Sequence, residues 1–292
     1  MLRSLIIATA VSWAGIVSAA PLKAVASITI IADMVHEVGG DLVEVQSIVG
    51  PDGDAHAYES SPQDSKNLSV ASVVFVNGLG LDTWIEKITQ ASGFKGPIVT
   101  TTDGIKPHQM NEDGKDILDP HAWQDLSNGQ IYVKNIAEGL CKADANDCDK
   151  FRTNATAYNN KLVALDQDVR AKFASLPASA RQVVTTHDAF GYFATAYDLR
   201  FLAPEGFSTE SEPSADAVAK IIRQIKQDKI KALFFENMSD PRVIEAIAAE
   251  TGVRPGPPLY ADALSKPDEG ADTYIKMFQH NTETLMKAMA GN

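Results

Sequence analysis

The stretch DKFRTNATAYNNKLVALDQDVRAKFAS, Asp149 to Ser175, decides how the rest of this 292-residue chain is read. It holds no Gly or Pro, and Tyr158, Leu162, Leu165, Val169 and Phe173 recur three or four positions apart. That is the period of one amphipathic helix, about 40 Å long at roughly 1.5 Å per residue. Pro177 ends it. A stiff rod of that length in mid-chain predicts a strut joining two lobes.

On both sides of the strut, short β-rich runs alternate with helical ones. Strands are expected at Lys23–Ser27, Val43–Val49, Ser72–Asn77, Pro97–Thr101, Gln182–Thr186, Ala232–Asn237 and Pro257–Asp262. Helices are expected at Asp82–Gln90, Phe190–Asp198, Ala215–Gln227, Pro241–Thr251 and Asp272–Met289. Such alternation predicts an α/β fold of two βα lobes with mainly parallel sheets. The expected division is residues 20–148, the linking helix 149–176, and residues 177–292. The halves also echo each other: Val49-Gly50-Pro51-Asp52-Gly53 resembles Ala203-Pro204-Glu205-Gly206, and Val74-Phe75-Val76-Asn77 resembles Leu233-Phe234-Phe235 with Asn237.

Residues 1–19 read as an export signal. Arg3 is followed by the apolar run Leu5–Val17 and the small-residue site Val17-Ser18-Ala19. The run is short of the roughly 20 residues that a spanning helix needs. No Cys follows it to carry a lipid, so a soluble mature protein in the periplasm is expected. Its composition, 45% apolar and 22% charged, supports a packed core rather than a disordered chain. A formal net charge of −12 disfavours nucleic acid and anionic membranes as partners and mildly favours cations. The two cysteines, Cys141 and Cys148, lack CxxC spacing. In an oxidising compartment they are expected to form a disulfide rather than a metal site.

Of six histidines, His36 begins a false HExxH, because residue 40 is Gly. His36 is expected at an exposed helix end, His280 on a solvated helix face and His108 in a polar loop. His56, His121 and His187, with Asp262, each lie at or just past an expected strand or loop end, where open α/β sheets bind ligands. They are separated by 65, 66 and 75 residues, so only the fold could assemble them.

At these residues the chain resembles the solute-binding proteins of zinc and manganese ABC transporters. The matching segments are Asp54-Ala55-His56-Ala57-Tyr58-Glu59, Asp119-Pro120-His121-Ala122-Trp123, Thr186-His187-Asp188-Ala189-Phe190-Gly191-Tyr192-Phe193 and Leu259-Tyr260-Ala261-Asp262-Ala263-Leu264. The resemblance implies a metal held between the lobes by His56 and His121 from one side and His187 and Asp262 from the other. It implies a membrane permease as partner, with a periplasmic metallochaperone as a further candidate, and a monomer.

Three neutral imidazoles and one carboxylate suit four-coordinate Zn²⁺. Manganese members of the family tend to carry Glu at the third position, so His187 points to zinc over Mn²⁺. Many zinc members also carry a His-rich loop before the second ligand; here Thr102–Asp119 holds only His108, and a plain surface loop is expected. Two other readings compete. A zinc hydrolase needs an open coordination position, which a four-ligand shell does not leave. A surface adhesin would need an anchor.

Overall fold

A computed structural model describes residues 20–112 and 115–291. The export-signal reading and Asp113 lie outside the described residues. The N-terminal half is built on a parallel sheet of β1 (Leu22–Ala26), β2 (Val43–Ser47), β3 (Val73–Val76) and β4 (Ile98–Thr100), in the order β2-β1-β3-β4. Each pair is in register over three to five residues, from Leu22 opposite Val43 to Val76 opposite Thr100. Every residue of β3, Val-Val-Phe-Val, is buried, as expected of an inner parallel strand covered on both faces. Helices α1 (Thr29–Gly39), α2 (Pro62–Ser69) and α3 (Ile85–Ser92) form the crossovers.

The segment before His121 is partly ordered as an antiparallel hairpin, β5 (Gln109–Glu112) and β6 (Lys115–Leu118), rather than a plain loop. Then come α4 (Leu126–Ala143), started by an Asp125 side chain that accepts from the Ser127 N–H, and the strut α5 (Cys148–Ala174). Its buried stripe is Phe151, Ala155, Tyr158, Leu162, Leu165, Val169 and Phe173. Cys141 and Cys148 form a disulfide across the corner between α4 and α5.

The C-terminal half repeats the scheme with β7 (Gln182–Val184), α6 (Gly191–Tyr197), β8 (Arg200–Leu202), α7 (Ala215–Asp228), β9 (Ala232–Leu233), α8 (Arg242–Thr251) and α9 (Tyr274–Met289). Its parallel sheet runs β8-β7-β9. A single parallel bridge from Glu236 to Leu259 continues it outward, so the order matches that of the first sheet. The expected strand Pro257–Asp262 is reduced to that bridge, and Ala232–Asn237 to two residues. Pro257 and Pro258 have no N–H to give a ladder, and the remaining bonds are Leu259 N–H to Phe235 O (3.0 Å) and Asn237 N–H to Leu259 O (2.9 Å).

The strut packs on α1 and α4 from one half and on α6 and α9 from the other. One apolar cluster therefore runs from Ala24 and Phe75 through Tyr158 and Leu162 to Val183 and Phe278. Among the described residues no helix is long and apolar enough to cross a membrane.

Candidate metal centre

All four candidate donors sit on loops at the carboxyl ends of strands. His56 follows β2 in a turn held by Asp54, whose Oδ1 accepts the His56 N–H at 2.8 Å and whose Oδ2 accepts from Thr209 Oγ1 at 2.6 Å. The indole of Trp84 donates to Ala55 O and pins the same turn. His121 follows β6 with the fixed backbone of Pro120 before it. Its neighbours Trp123 and Gln124 both donate to Ala261 O, at 2.8 and 2.9 Å, tying this loop to the one that carries Asp262. His187 follows β7, and the helix expected from Phe190 begins at Gly191. Asp262 lies beyond the Leu259 bridge. Its loop is fastened to α9 by paired Asn281–Tyr260 bonds and to α1 by Leu264 N–H on Thr29 Oγ1.

The four side chains converge, with donor atoms all within 4.8 Å of one another. His56 Nε2 is 3.2 Å from His121 Nε2. Asp262 Oδ2 is 3.2 Å from His187 Nε2 and 3.5 Å from His56 Nε2, and Asp262 Oδ1 is 3.6 Å from His121 Nε2. Metal–ligand bonds of about 2.0–2.1 Å in a tetrahedron place donors roughly 3.3 Å apart, so these separations fit one small cation at their centre. His121, His187 and Asp262 are at most 1% exposed. Neither oxygen of Asp262, nor Nε2 of His187, has a hydrogen-bond partner. An ionised carboxylate that deep and without donors is costly unless a cation faces it. The donor set thus fits a divalent ion carried as cargo.

Further carboxylates stand behind the imidazoles. Asp119 Oδ1 lies 2.8 Å from His121 Nδ1 and also accepts the His121 N–H at 3.0 Å, which puts the proton on Nδ1 and leaves Nε2 free for metal. Glu236, fully buried, accepts from the N–H groups of Thr186 and His187 and stands 3.5 Å from His187 Nδ1. Trp123 meets the His121 ring edge-on at 5.3 Å, the apolar wall its sequence position implies. Sequence alone assigns neither Asp119 nor Glu236 a place behind the imidazoles. An acidic residue two before His121 was the available signal for the first. Nothing local marks the second, which arrives from 49 residues away.

The remaining histidines stay outside this cluster. His36 is exposed in the last turn of α1. His280 is half-buried rather than solvated, bonded to Pro258 O and set edge-on against Tyr260. His108 is stacked on Tyr192.

Burial most strongly opposes a charge on His187, yet the carboxylates of Asp262 and Glu236 together outweigh it and hold its pKa well above the ordinary value. Burial likewise opposes ionisation of Asp262, but His187 and His121 carry its pKa well below the usual carboxylate range. Metal needs a neutral imidazole, so protons compete for this site. The sign follows. As pH falls through the raised His187 pKa, affinity drops by up to about tenfold per unit, starting above pH ~6.5. In the metal-free protein the same shift stabilises the fold, fully below pH ~6.5 and less as pH rises through the raised pKa. Calorimetric metal titrations between pH 5.5 and 8 check this; affinity flat down to pH 6 would contradict it.

Residues 24–288 match the family model ZnuA, described as the periplasmic zinc-uptake complex component A. The chain belongs to this family. It is 31% identical to the metal ABC transporter substrate-binding lipoprotein SsaB of Streptococcus sanguinis, across 92% of this chain and 89% of that protein. It is also 31% identical, over the same shares, to the manganese ABC transporter substrate-binding lipoprotein PsaA of Streptococcus pneumoniae. Among solved structures it superposes on the periplasmic zinc binding protein TroA from Treponema pallidum with a TM-score of 0.87 at 31% identity, covering 92% of this chain and 99% of that one. A Mn-bound periplasmic metal binding protein from Candidatus Liberibacter asiaticus gives 0.82 at 28% identity, with the same coverage. Members of the ZnuA family are the substrate-binding components of metal ABC importers. This chain is therefore a carrier that serves a membrane permease, not an enzyme.

Proposed function

We propose that this chain captures Zn²⁺ in the periplasm through His56, His121, His187 and Asp262 and delivers it to the permease of an ABC importer. One observation carries the reading: the third donor, His187, offers nitrogen where a manganese site favours a harder oxygen. Three imidazoles and a carboxylate complete a tetrahedral zinc shell and leave one net positive charge. That shell has no vacancy for a reacting water.

In this reading residues 20–148 and 177–292 act as two lobes hinged little by the strut 149–176. The donors ride on loops, whereas the apolar core continues across both halves. Release therefore proceeds by displacing loops rather than by swinging the lobes apart.

Mn²⁺ is the second reading. Both oxygens of Asp262 face imidazoles, Oδ1 towards His121 and Oδ2 towards His56 and His187, so bidentate coordination would add a hard donor. Relatives named for manganese favour the same ion. Elemental analysis of protein purified without added metal, with calorimetric competition between the two ions, separates the readings. We expect zinc in the purified protein and Zn²⁺ bound at least a hundredfold more tightly than Mn²⁺. Manganese recovered preferentially and not displaced by equimolar Zn²⁺ would transfer the assignment to the second ion.

A further inference from the structure

Tyr192, on α6 in the C-terminal half, reaches across to the chain that carries His121. It is only 3% exposed. Its hydroxyl accepts the His108 N–H at 3.0 Å and donates to Asp119 O at 3.0 Å. Its ring lies flat on His108, with centroids 4.0 Å apart and planes 4° from parallel. The Asp119 N–H closes the loop on His108 O at 3.0 Å. The two ends of the segment holding the β5–β6 hairpin are thus fastened to each other and to α6 by one phenol.

Asp119 is 1% exposed. One of its oxygens accepts from His121, and the other has no partner. That free oxygen rests against Gly191, where a Cβ would come within 2.8 Å of it. Both hydrogen bonds to the Asp119 carboxylate come from His121 itself, its N–H and Nδ1 meeting Oδ1, so no third residue and no water-facing surface fix it. Its aim at His121 depends on where its backbone is held, and Tyr192 holds that backbone.

We propose that Tyr192 is a positioning residue for the metal centre: acting from one half of the molecule through Asp119, it fixes the tautomer and direction of His121 in the other half, and so sets how fast the ion leaves. The proposal rests on His121 being a ligand. It adds that retention of the ion depends on a contact between the halves lying outside the ligand set. Freeing the phenol lets Asp119 slacken, and His121 then loses the acceptor that keeps its proton on Nδ1.

The test uses the full chain loaded with Zn²⁺ for release and with Co²⁺ for spectroscopy. Tyr192→Phe keeps the ring stack and removes both hydroxyl bonds. Release to excess chelator is expected to quicken about 10- to 100-fold, the span typical of disturbed groups behind metal ligands, and the Co²⁺ absorption bands are expected to shift. Tyr158→Phe is the control. It deletes another buried hydroxyl, one that faces Asp33 rather than the metal loops, and should leave both readouts as in the wild type. Wild-type rates and bands in Tyr192→Phe, or equal acceleration in Tyr158→Phe, would overturn the proposal. If Tyr192→Phe does not fold, His108→Ala, which removes the stack alone, carries the decision: faster release with shifted bands supports the clasp, and wild-type behaviour refutes it. Unchanged affinity in His121→Ala would instead remove the ligand assignment itself, a separable failure.

Discussion

Replacing His187 with Ala is expected to weaken Zn²⁺ binding by about 10²–10³-fold. Zinc held by four protein donors is worth about 10–16 kcal/mol, so one donor accounts for roughly 2.5–4 kcal/mol. The loss should sit at the upper end of that range, for two reasons visible around the side chain. His187 is fully buried, so water cannot readily replace its nitrogen. Its removal also leaves Asp262 with one fewer imidazole to offset a carboxylate that no donor satisfies. The metal-free fold is also expected to lose stability, because the buried Asp262 carboxylate loses the imidazole that faces it, although the N–H groups of Thr186 and residue 187 remain on Glu236. Isothermal titration paired with circular dichroism separates the two effects. Unchanged affinity in a folded variant would strike His187 from the ligand set.

Trp123→Ala is expected to lower stability by about 3–5 kcal/mol, roughly 10 °C in melting temperature for a chain of this size, and to loosen the metal as well. Trp123 is completely buried. Its indole N–H holds Ala261 O, one residue from Asp262, while its own carbonyl accepts from Tyr274 at the start of α9. Its ring supports His121. Truncation opens a cavity and severs the shortest tie between the two ligand loops at once. Differential scanning calorimetry of the metal-free protein reads the first effect, and metal titration reads the second, expected at about 10- to 100-fold. A melting temperature within about 3 °C of wild type would mean that the site relaxes around the missing ring.

What the sequence revealed follows from how locally each feature is encoded. The strut was legible because one unbroken stripe of apolar residues carries it. The parallel strands were legible because Val73–Val76 and its counterparts are short, continuous apolar runs between turns. The four candidate donors stand out through their motifs, each set at a strand or loop end, and the fold brings them together. Other elements are encoded by contact. Helix α4 is one of them, since Gly129 and Gly139 interrupt its helical signal. A Cβ at those positions would come within 2.7 Å of Tyr274 and Phe75, so close packing, not propensity, chose glycine. The β-branched run Thr29-Ile30-Ile31 similarly hides the start of α1. The β5–β6 hairpin, Gln-Met-Asn-Glu and Lys-Asp-Ile-Leu, has no regular apolar alternation to announce it. Glu236 could not be assigned to His187 from sequence, because the pairing exists only once β7 and β9 lie side by side.

The bridge between α4 and α5 has a chemical consequence besides its mechanical one. Cys141 and Cys148 are the only cysteines in the sequence, and free thiolates are strong competitors for zinc and for softer ions such as Cu(I). Joined to each other, both sulfurs are withdrawn as donors. Joining the two sulfurs thus does more than brace a corner: it leaves the imidazole pocket with no thiolate rival on its own polypeptide.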